Sequence, residues 1–177
     1  MQVTSDHRFQ TLQDAKAFAM AGNAIITLQS LRSGQHFTYK ITSPSAEKQE
    51  AKGYTPEAVW FVKLLTSGSA DEGEFTYIGM IKPQAGFFLT RASRVRPENP
   101  CVKAFRFFME SQELHSELVI RHECRCGRCG RTLTEPESID SGYGPECREK
   151  LGIVLGGDNE GEEHRHDAHP EDGGLGN

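Results

Sequence analysis

Residues 124–147 decide how the C-terminal part of the chain folds. They read Cys124-Arg-Cys-Gly-Arg-Cys-Gly-Arg, then a polar stretch, then Ser141-Gly-Tyr-Gly-Pro-Glu-Cys147, and they hold four of the five cysteines. Cys126 and Cys129 have the Cys-x-x-Cys spacing that brings two thiolates of one tight turn to a single ion. Seventeen residues separate Cys129 from Cys147, a spacing typical of the two halves of a zinc site. The stretch therefore predicts one structural Zn²⁺ bound by these three cysteines.

A short helix is expected around the last of these cysteines. Pro145 suits the first turn of a helix, because the N–H that proline lacks would be unpaired there. Gly152 is a typical residue for the end of such a helix. The positive end of the helix dipole near Cys147 favours a thiolate over a thiol. A Cys-x-x-Cys knuckle followed by a ligand-bearing helix predicts a treble-clef or ribbon-like module.

A structural zinc site needs four ligands, and the three cysteines leave one position to fill. His122 lies four residues before Cys126 and can approach from a preceding strand or from the end of a helix. Cys124 is the alternative fourth ligand, although it requires a sharp bend before Cys126. His115 is a third candidate. The residue spacing alone leaves these alternatives open.

The order of residues in this module also matches a known pattern. The run Cys-Gly-Arg-Cys-Gly-Arg-Thr-Leu-Thr-x-Pro-x-Ser-Ile at 126–139, followed by Gly-x-Gly-Pro-x-Cys at 142–147, resembles a zinc module of uncharacterised, largely phage-encoded proteins. Residues 11–114 resemble the N-terminal part of some of those proteins. In such relatives a histidine often precedes the Cys-x-x-Cys, which favours His122 as the fourth ligand. The resemblance gives no enzymatic activity to expect. If the protein is phage-encoded, the resemblance implies that it is located in the host cell cytoplasm.

Composition predicts a cytoplasmic protein. The mean hydropathy is −0.55, and no run approaches the roughly 20 apolar residues that a membrane helix needs. The N-terminus lacks the apolar stretch of a secretory signal. Cysteines in metal-binding spacing, without such a signal, are typical of a reducing compartment. We therefore expect no membrane contact.

Charge is distributed unevenly along the chain. The net charge is −5, but residues 156–177 alone carry seven acidic side chains and one arginine. This tail also holds His164, His166 and His169, and it has too few apolar residues to fold, so we expect a disordered acidic tail. The remaining residues, 1–155, carry 19 basic and 18 acidic groups.

Arginines cluster in two places and predict contacts with nucleic acid. The candidate contact residues are Arg125, Arg128 and Arg131 beside the knuckle, and Arg91, Arg94 and Arg96 farther upstream. Guanidinium groups on a rigid, metal-held loop suit phosphate contacts. Tyr39, Tyr77 and Tyr143 are candidates for stacking on bases. In residues 121–150, however, six basic groups are balanced by six acidic ones, which favours an alternative in which the arginines only pair with glutamates.

The hydrophobic pattern upstream predicts an α+β domain with an antiparallel sheet of about five strands and flanking helices. The expected strands are 24–31, 36–42, 58–66, 75–81 and 86–91, and the expected helices open at Thr11 and span 101–117. Residues 43–56 are expected to form a loop. The predicted division is an α+β domain at 1–117, a zinc-binding module at 118–155 and the tail at 156–177.

No phosphate-binding glycine loop, His-Glu-x-x-His, Gly-x-Ser-x-Gly or zinc-deaminase motif is present. We therefore expect a non-catalytic protein without a small-molecule substrate. The first functional hypothesis is nucleic-acid binding through the arginine-rich zinc module. The alternative is a protein-interaction factor that modulates or inhibits a host defence, replication or transcription complex.

Overall fold

A single antiparallel sheet organises the protein. The computed structural model describes residues 7–53 and 57–153, and the statements below concern those residues. The strands are β1 (Asn23–Ser30), β2 (His36–Thr42), β3 (Trp60–Ser67), β4 (Glu74–Lys82), β5 (Gly86–Phe88) and β6 (Leu118–His122). The helices are α1 (Leu12–Ala19), α2 (Ala46–Glu50), α3 (Pro100–Glu110), α4 (Pro136–Ser141) and α5 (Pro145–Leu151). The strand order is β5-β4-β3-β2-β1-β6, which confirms the predicted α+β class.

Strand register sorts the side chains onto two faces. Ile41 on β2 lies opposite Ala24 on β1 and Val62 on β3, and all three are fully buried. The neighbouring residue Lys40 points to the other face, because successive side chains of a strand alternate. One face of the sheet therefore carries the core.

Helices α1 and α3 cover the core face. Phe105 of α3 packs against Tyr39 with ring centroids 4.8 Å apart, and Phe18 of α1 is fully buried. The Lys16 Nζ of α1 donates hydrogen bonds to the carbonyls of Met109 and Ser111, at 2.8 and 2.7 Å. These bonds satisfy carbonyl groups at the end of α3 and join the two helices. Cys101 lies in the core, and Phe107 is exposed.

We call the opposite side of the sheet the open face. It consists of two adjacent cross-strand rows on β2, β3, β4 and β5. These rows contain Lys40, Lys63, Tyr77, Thr42, Phe61, Met80 and Phe88. The side chains of both rows are half-buried. Neither α1 nor α3 packs on this face, since both lie on the core side.

Several elements differ from the sequence-based expectation, among them β5, which ends at Phe88 and not at 91, and α4, which was not expected. Helix α3 ends at Glu110, not at 117, because Ser111 takes an extended conformation. Residues 118–122 form a sixth strand, β6, which pairs with β1. The expected loop at 43–56 contains α2, whose first turn is capped by the Ser45 hydroxyl. The expected opening of α1 is confirmed, because the Asp14 N–H donates to Thr11 Oγ1 at 3.0 Å.

The proposed acidic tail, 156–177, lies outside the described residues. Within the described ranges, none of the helices combines the length and the apolar character needed to cross a bilayer. Because β6 belongs to the sheet, the residues that precede the first cysteine of the module are part of the same core as α1. The division into a domain at 1–117 and a module at 118–155 stays a prediction.

Candidate metal centre

The knuckle is a tight turn closed by backbone hydrogen bonds. The Gly130 N–H donates to the Cys126 carbonyl at 2.8 Å, and the Cys126 N–H donates to the Arg131 carbonyl at 2.8 Å. Gly130 has a φ of 76°, a left-handed conformation that glycine adopts without a steric penalty. A β-bridge between Arg125 and Thr132 closes the base of the turn. The predicted knuckle therefore forms with Cys126 and Cys129 at its two sides.

Helix α5 supplies the third cysteine. Pro145 occupies its first turn, and Gly152 ends it in a left-handed conformation with a φ of 64°. Cys147 lies in the first turn, where its N–H donates to the Gly144 carbonyl at 3.0 Å. The predicted bounds of this helix are confirmed.

The turn and the helix bring the three cysteines together. The Sγ atoms of Cys126, Cys129 and Cys147 all lie within 4.8 Å of one another. Cys126 and Cys147 are buried, whereas Cys129 is exposed. The cluster can hold a metal ion, because three sulfur ligands converge on one point from two rigid elements.

Backbone N–H groups of the module stabilise a thiolate within the cysteine cluster. Burial raises the pKa of the Cys126 thiol, but hydrogen bonds from three backbone N–H groups, foremost that of Cys129, outweigh burial and lower the pKa below its ordinary value. The pKa of Cys147 is raised, first by burial and then by the neighbouring thiols, although the Arg128 guanidinium opposes this shift. The Arg128 Nη1 lies 3.9 Å from Cys147 Sγ. The thiolate form is therefore favoured at Cys126 over Cys147.

His122 lies in the aromatic core, outside the group of three cysteines. Its ring centroid is 5.5 Å from that of Phe18 and 5.7 Å from that of Phe9. Nδ1 accepts a hydrogen bond from the Cys124 N–H at 3.2 Å, and the buried Nε2 has no hydrogen-bond partner of standard geometry among the residues that the structure describes. Burial, and then the neighbouring His7, lower the pKa of His122 to about 4, and the Ile139 carbonyl partly offsets this shift. The ring is therefore neutral at physiological pH.

The other two candidate ligands also lie outside the cluster. Cys124 has a positive φ of 49°, and its Sγ lies 3.1 Å from His7 Nδ1. Burial raises the pKa of Cys124, and the carboxylates of Glu123 and Asp71 raise it further. His115 is exposed and packs edge-on against Phe107. The identity of the fourth ligand stays a prediction.

The structure separates the six candidate arginines. Arg125 forms an ion pair with Asp71, with Nε 2.6 Å from Oδ1, and its Nη1 donates to the Gly130 carbonyl. Arg128 and Arg131 are exposed and line a cavity of about 460 Å³ beside the three cysteines. The remaining three, Arg91, Arg94 and Arg96, follow β5, at the sheet edge opposite β6. All three are exposed.

The expected stacking role fails for two of the three tyrosines. Tyr39 is fully buried and donates a hydrogen bond from its hydroxyl to the Cys101 carbonyl at 2.7 Å. Tyr143 is 2% exposed and packs against Phe18 with a centroid distance of 5.5 Å. Only Tyr77, which is half-buried on the open face, has a ring surface near solvent.

The module packs closely against α1 and β1. The Asn23 N–H donates to the Gly127 carbonyl at 2.8 Å. A Cβ placed on Gly127 would lie 2.7 Å from Phe18 Cε2 and 3.1 Å from Tyr143 Cε1. Glycine is therefore required at 127 by this close approach between the knuckle and the core.

Sequence reasoning missed one cation of the cavity beside the cysteines. Lys150, on α5, lines this cavity together with Arg128 and Arg131. Its position three residues after Cys147, close to one helical turn, was the available signal. Glu135 and Glu146 line the same cavity, so three cations face two carboxylates there.

The family match lies in the C-terminal part of the chain. Residues 116–152 match a family of unknown function (DUF6011). These residues include β6, the knuckle, α4 and α5. No curated protein and no solved structure matches the chain.

Proposed function

We propose that the cysteine cluster binds one structural Zn²⁺ and that the module is a treble clef. Zn–S bonds of about 2.3 Å in a tetrahedral site place sulfur atoms about 3.8 Å apart. The three Sγ atoms, all within 4.8 Å of one another, need only small shifts to reach that arrangement. Thiolates favour zinc over hard cations such as Mg²⁺. The order of knuckle, β-bridge and helix supports the treble-clef assignment.

The fourth ligand is proposed to be a side chain of this chain, with His122 and Cys124 as the candidates. Three thiolates and one further ligand give zinc a closed coordination sphere, which leaves no position for a reacting water. We therefore propose a structural, non-catalytic role for the ion. Its loss is expected to release the knuckle from α5, because no disulfide joins the cysteines.

The zinc module is proposed to bind nucleic acid. The observation that carries this proposal is the exposure of Arg128 and Arg131 beside the cysteine cluster, where Lys150 adds a third cation. A metal-held turn fixes the backbone that carries these side chains, so the loop itself needs no ordering on binding, and guanidinium groups suit phosphate oxygens. Arg125 is assigned a structural role, because Asp71 already pairs with it.

The test measures binding of fluorescent oligonucleotides to the full, zinc-loaded chain at several salt concentrations. The variant Arg128→Gln/Arg131→Gln is compared with Lys103→Gln/Arg106→Gln, which removes the same charge from α3 on the core side of the sheet. Loss of two phosphate contacts lowers the salt slope by about 1.4 for a single strand and about 1.8 for a duplex. Equal slopes for the two variants would show that the module arginines do not contact phosphate. Absence of binding at low salt would remove the nucleic-acid function and leave a host protein, as suggested by the resemblance to phage-encoded proteins, as the partner to seek.

A further inference from the structure

Two lysines face each other at the centre of the open face. Lys40 on β2 lies directly opposite Lys63 on β3, and both are half-buried. Like charges in directly opposed positions destabilise a sheet. Among the described residues, neither lysine forms an ion pair or a hydrogen bond, although Lys40 Nζ lies 5.5 Å from the ring centroid of Phe75. The sheet thus holds two lysines in directly opposed positions, neither of them paired with a carboxylate of the described residues.

Aromatic rings flank this lysine pair. Tyr77 on β4 lies directly opposite Lys63, and Phe61 occupies the adjacent row, opposite Met80. The ring centroids of Phe61 and Tyr77 are 6.4 Å apart. Both rings are half-buried, so each keeps part of its surface near solvent. The open face therefore presents aromatic surface and positive charge side by side.

A groove extends the open face towards α2. Phe61 and Met80 line this groove, which has a volume of about 620 Å³, and three lysines border it: Lys48, Lys52 and Lys82. The only carboxylate that lines it, among the described residues, is Glu57, which pairs with Lys82 at 2.8 Å. The volume lies within the usual range of small-ligand sites. An anionic ligand with an apolar, planar part fits this combination of lysines and an aromatic wall.

More positive charge lies at the other side of Tyr77. The Arg94 N–H donates to the Tyr77 carbonyl at 3.1 Å, and Arg94 is exposed. The Tyr77 hydroxyl lies 3.3 Å from Thr90 Oγ1, which fixes the ring beside this segment. Two carboxylates lie towards β1 on this side: Asp71 lines a small cavity together with Lys40 but pairs with Arg125, and Glu123 accepts a hydrogen bond from the Thr27 hydroxyl. Lysines thus line the groove and the centre of the open face, and the backbone of the exposed Arg94 lies beside Tyr77.

We propose that the open face binds single-stranded nucleic acid, with bases stacked on Phe61 and Tyr77 and phosphates on Lys40 and Lys63. Aromatic rings on a sheet accept unpaired bases, whereas a duplex keeps the faces of its bases stacked inside the helix. The unpaired lysines supply the complementary charge for phosphate. This inference rests on nucleic acid being the partner, as proposed for the zinc module, but assigns base contact to a different surface.

The test uses the full, zinc-loaded chain with a fluorescent 20-nucleotide oligo-dT, the matching duplex and polyglutamate as probes. Four variants are compared with the wild type: Lys40→Gln/Lys63→Gln, Phe61→Leu, the zinc-module variant Arg128→Gln/Arg131→Gln, and the α3 control Lys103→Gln/Arg106→Gln. The lysine variant should lower the salt slope for the single strand by about 1.4, and Phe61→Leu should weaken binding about 5- to 150-fold. The control should bind as the wild type does. The lysine variant should also melt at or above the wild-type temperature, because it removes a like-charge contact.

Each outcome decides a different claim. If the lysine variant and Phe61→Leu bind oligo-dT as the wild type does, while Arg128→Gln/Arg131→Gln does not, the open face is excluded and the zinc module keeps its proposed function. If the lysine variant loses binding and the arginine variant keeps it, the open face is supported and the zinc module is not. Equal affinity for polyglutamate or for the duplex would overturn single-strand recognition. A wild-type chain that binds no nucleic acid would overturn both proposals.

Discussion

Replacing Gly127 with alanine tests whether the knuckle packs tightly against the core. The added Cβ would lie 2.7 and 2.8 Å from Cε2 and Cδ2 of Phe18, and 3.1 Å from Cε1 of Tyr143. Both rings are buried, so neither can move aside without displacing its neighbours. Overpacking of this kind costs about 1–3 kcal/mol. For a chain of this size, that lowers Tm by roughly 2–12 °C.

The matched control is Gly144→Ala, in the same module. A Cβ at 144 would meet only Leu133 Cδ2, at 4.0 Å, which is an ordinary contact. Thermal unfolding of the zinc-loaded protein should therefore show a large decrease for Gly127→Ala and little change for Gly144→Ala. Zinc content, measured in parallel, reports whether the knuckle is still formed. Equal melting temperatures for the two variants would refute the close packing of the knuckle on Phe18.

Two further predictions concern the cysteines and the buried histidine. Cys129→Ser should release zinc and unfold the module. Cys124→Ser should keep zinc unless Cys124 is the fourth ligand. Zinc content and the melting temperature, measured for both variants, distinguish these results. His122→Phe should keep the aromatic packing, and it loses zinc only if His122 is a ligand. Because the pKa of His122 is lowered to about 4, the unfolded chain binds a proton that the folded chain excludes, so stability decreases as pH falls from about 6.5 to about 4. Over that pH range, the free energy of unfolding of the wild type should fall by about 3 kcal/mol more than that of His122→Phe, as measured by urea unfolding. If the unfolding free energies of the two proteins change in parallel with pH, His122 is not a buried, neutral ring.

Local patterns in the sequence were sufficient for the elements that depend on local chemistry. The alternation of Phe37, Tyr39 and Ile41 with polar residues predicted β2 with its observed bounds. Pro145 and Gly152 likewise delimited α5. In each case the residues that define the element lie within the element or next to it, so no distant partner was needed.

Elements that depend on distant partners were not predictable. Strand β6 has only five residues, and it forms because β1 offers an open edge for pairing. The polar residues just before β6 resemble the end of a helix, so the sequence predicted a longer α3. The environment of His122 is built by rings from the N-terminal part of the chain, including Phe9 and Phe18. The pairing of Arg125 with Asp71 links positions 54 residues apart. Tertiary contacts of this kind leave no periodic signal in the sequence.

The pairing of β1 with β6 has a consequence for the order in which the protein is made. β1 is an interior strand of the finished sheet, but four strands and two helices separate it from β6 along the chain. During synthesis on the ribosome, the apolar edge of β1 stays unpaired until residues 118–122 emerge. An exposed strand edge invites pairing with another chain. Nascent chains stalled before residue 118 should therefore depend on chaperones and aggregate without them, whereas chains released after the module has emerged should not.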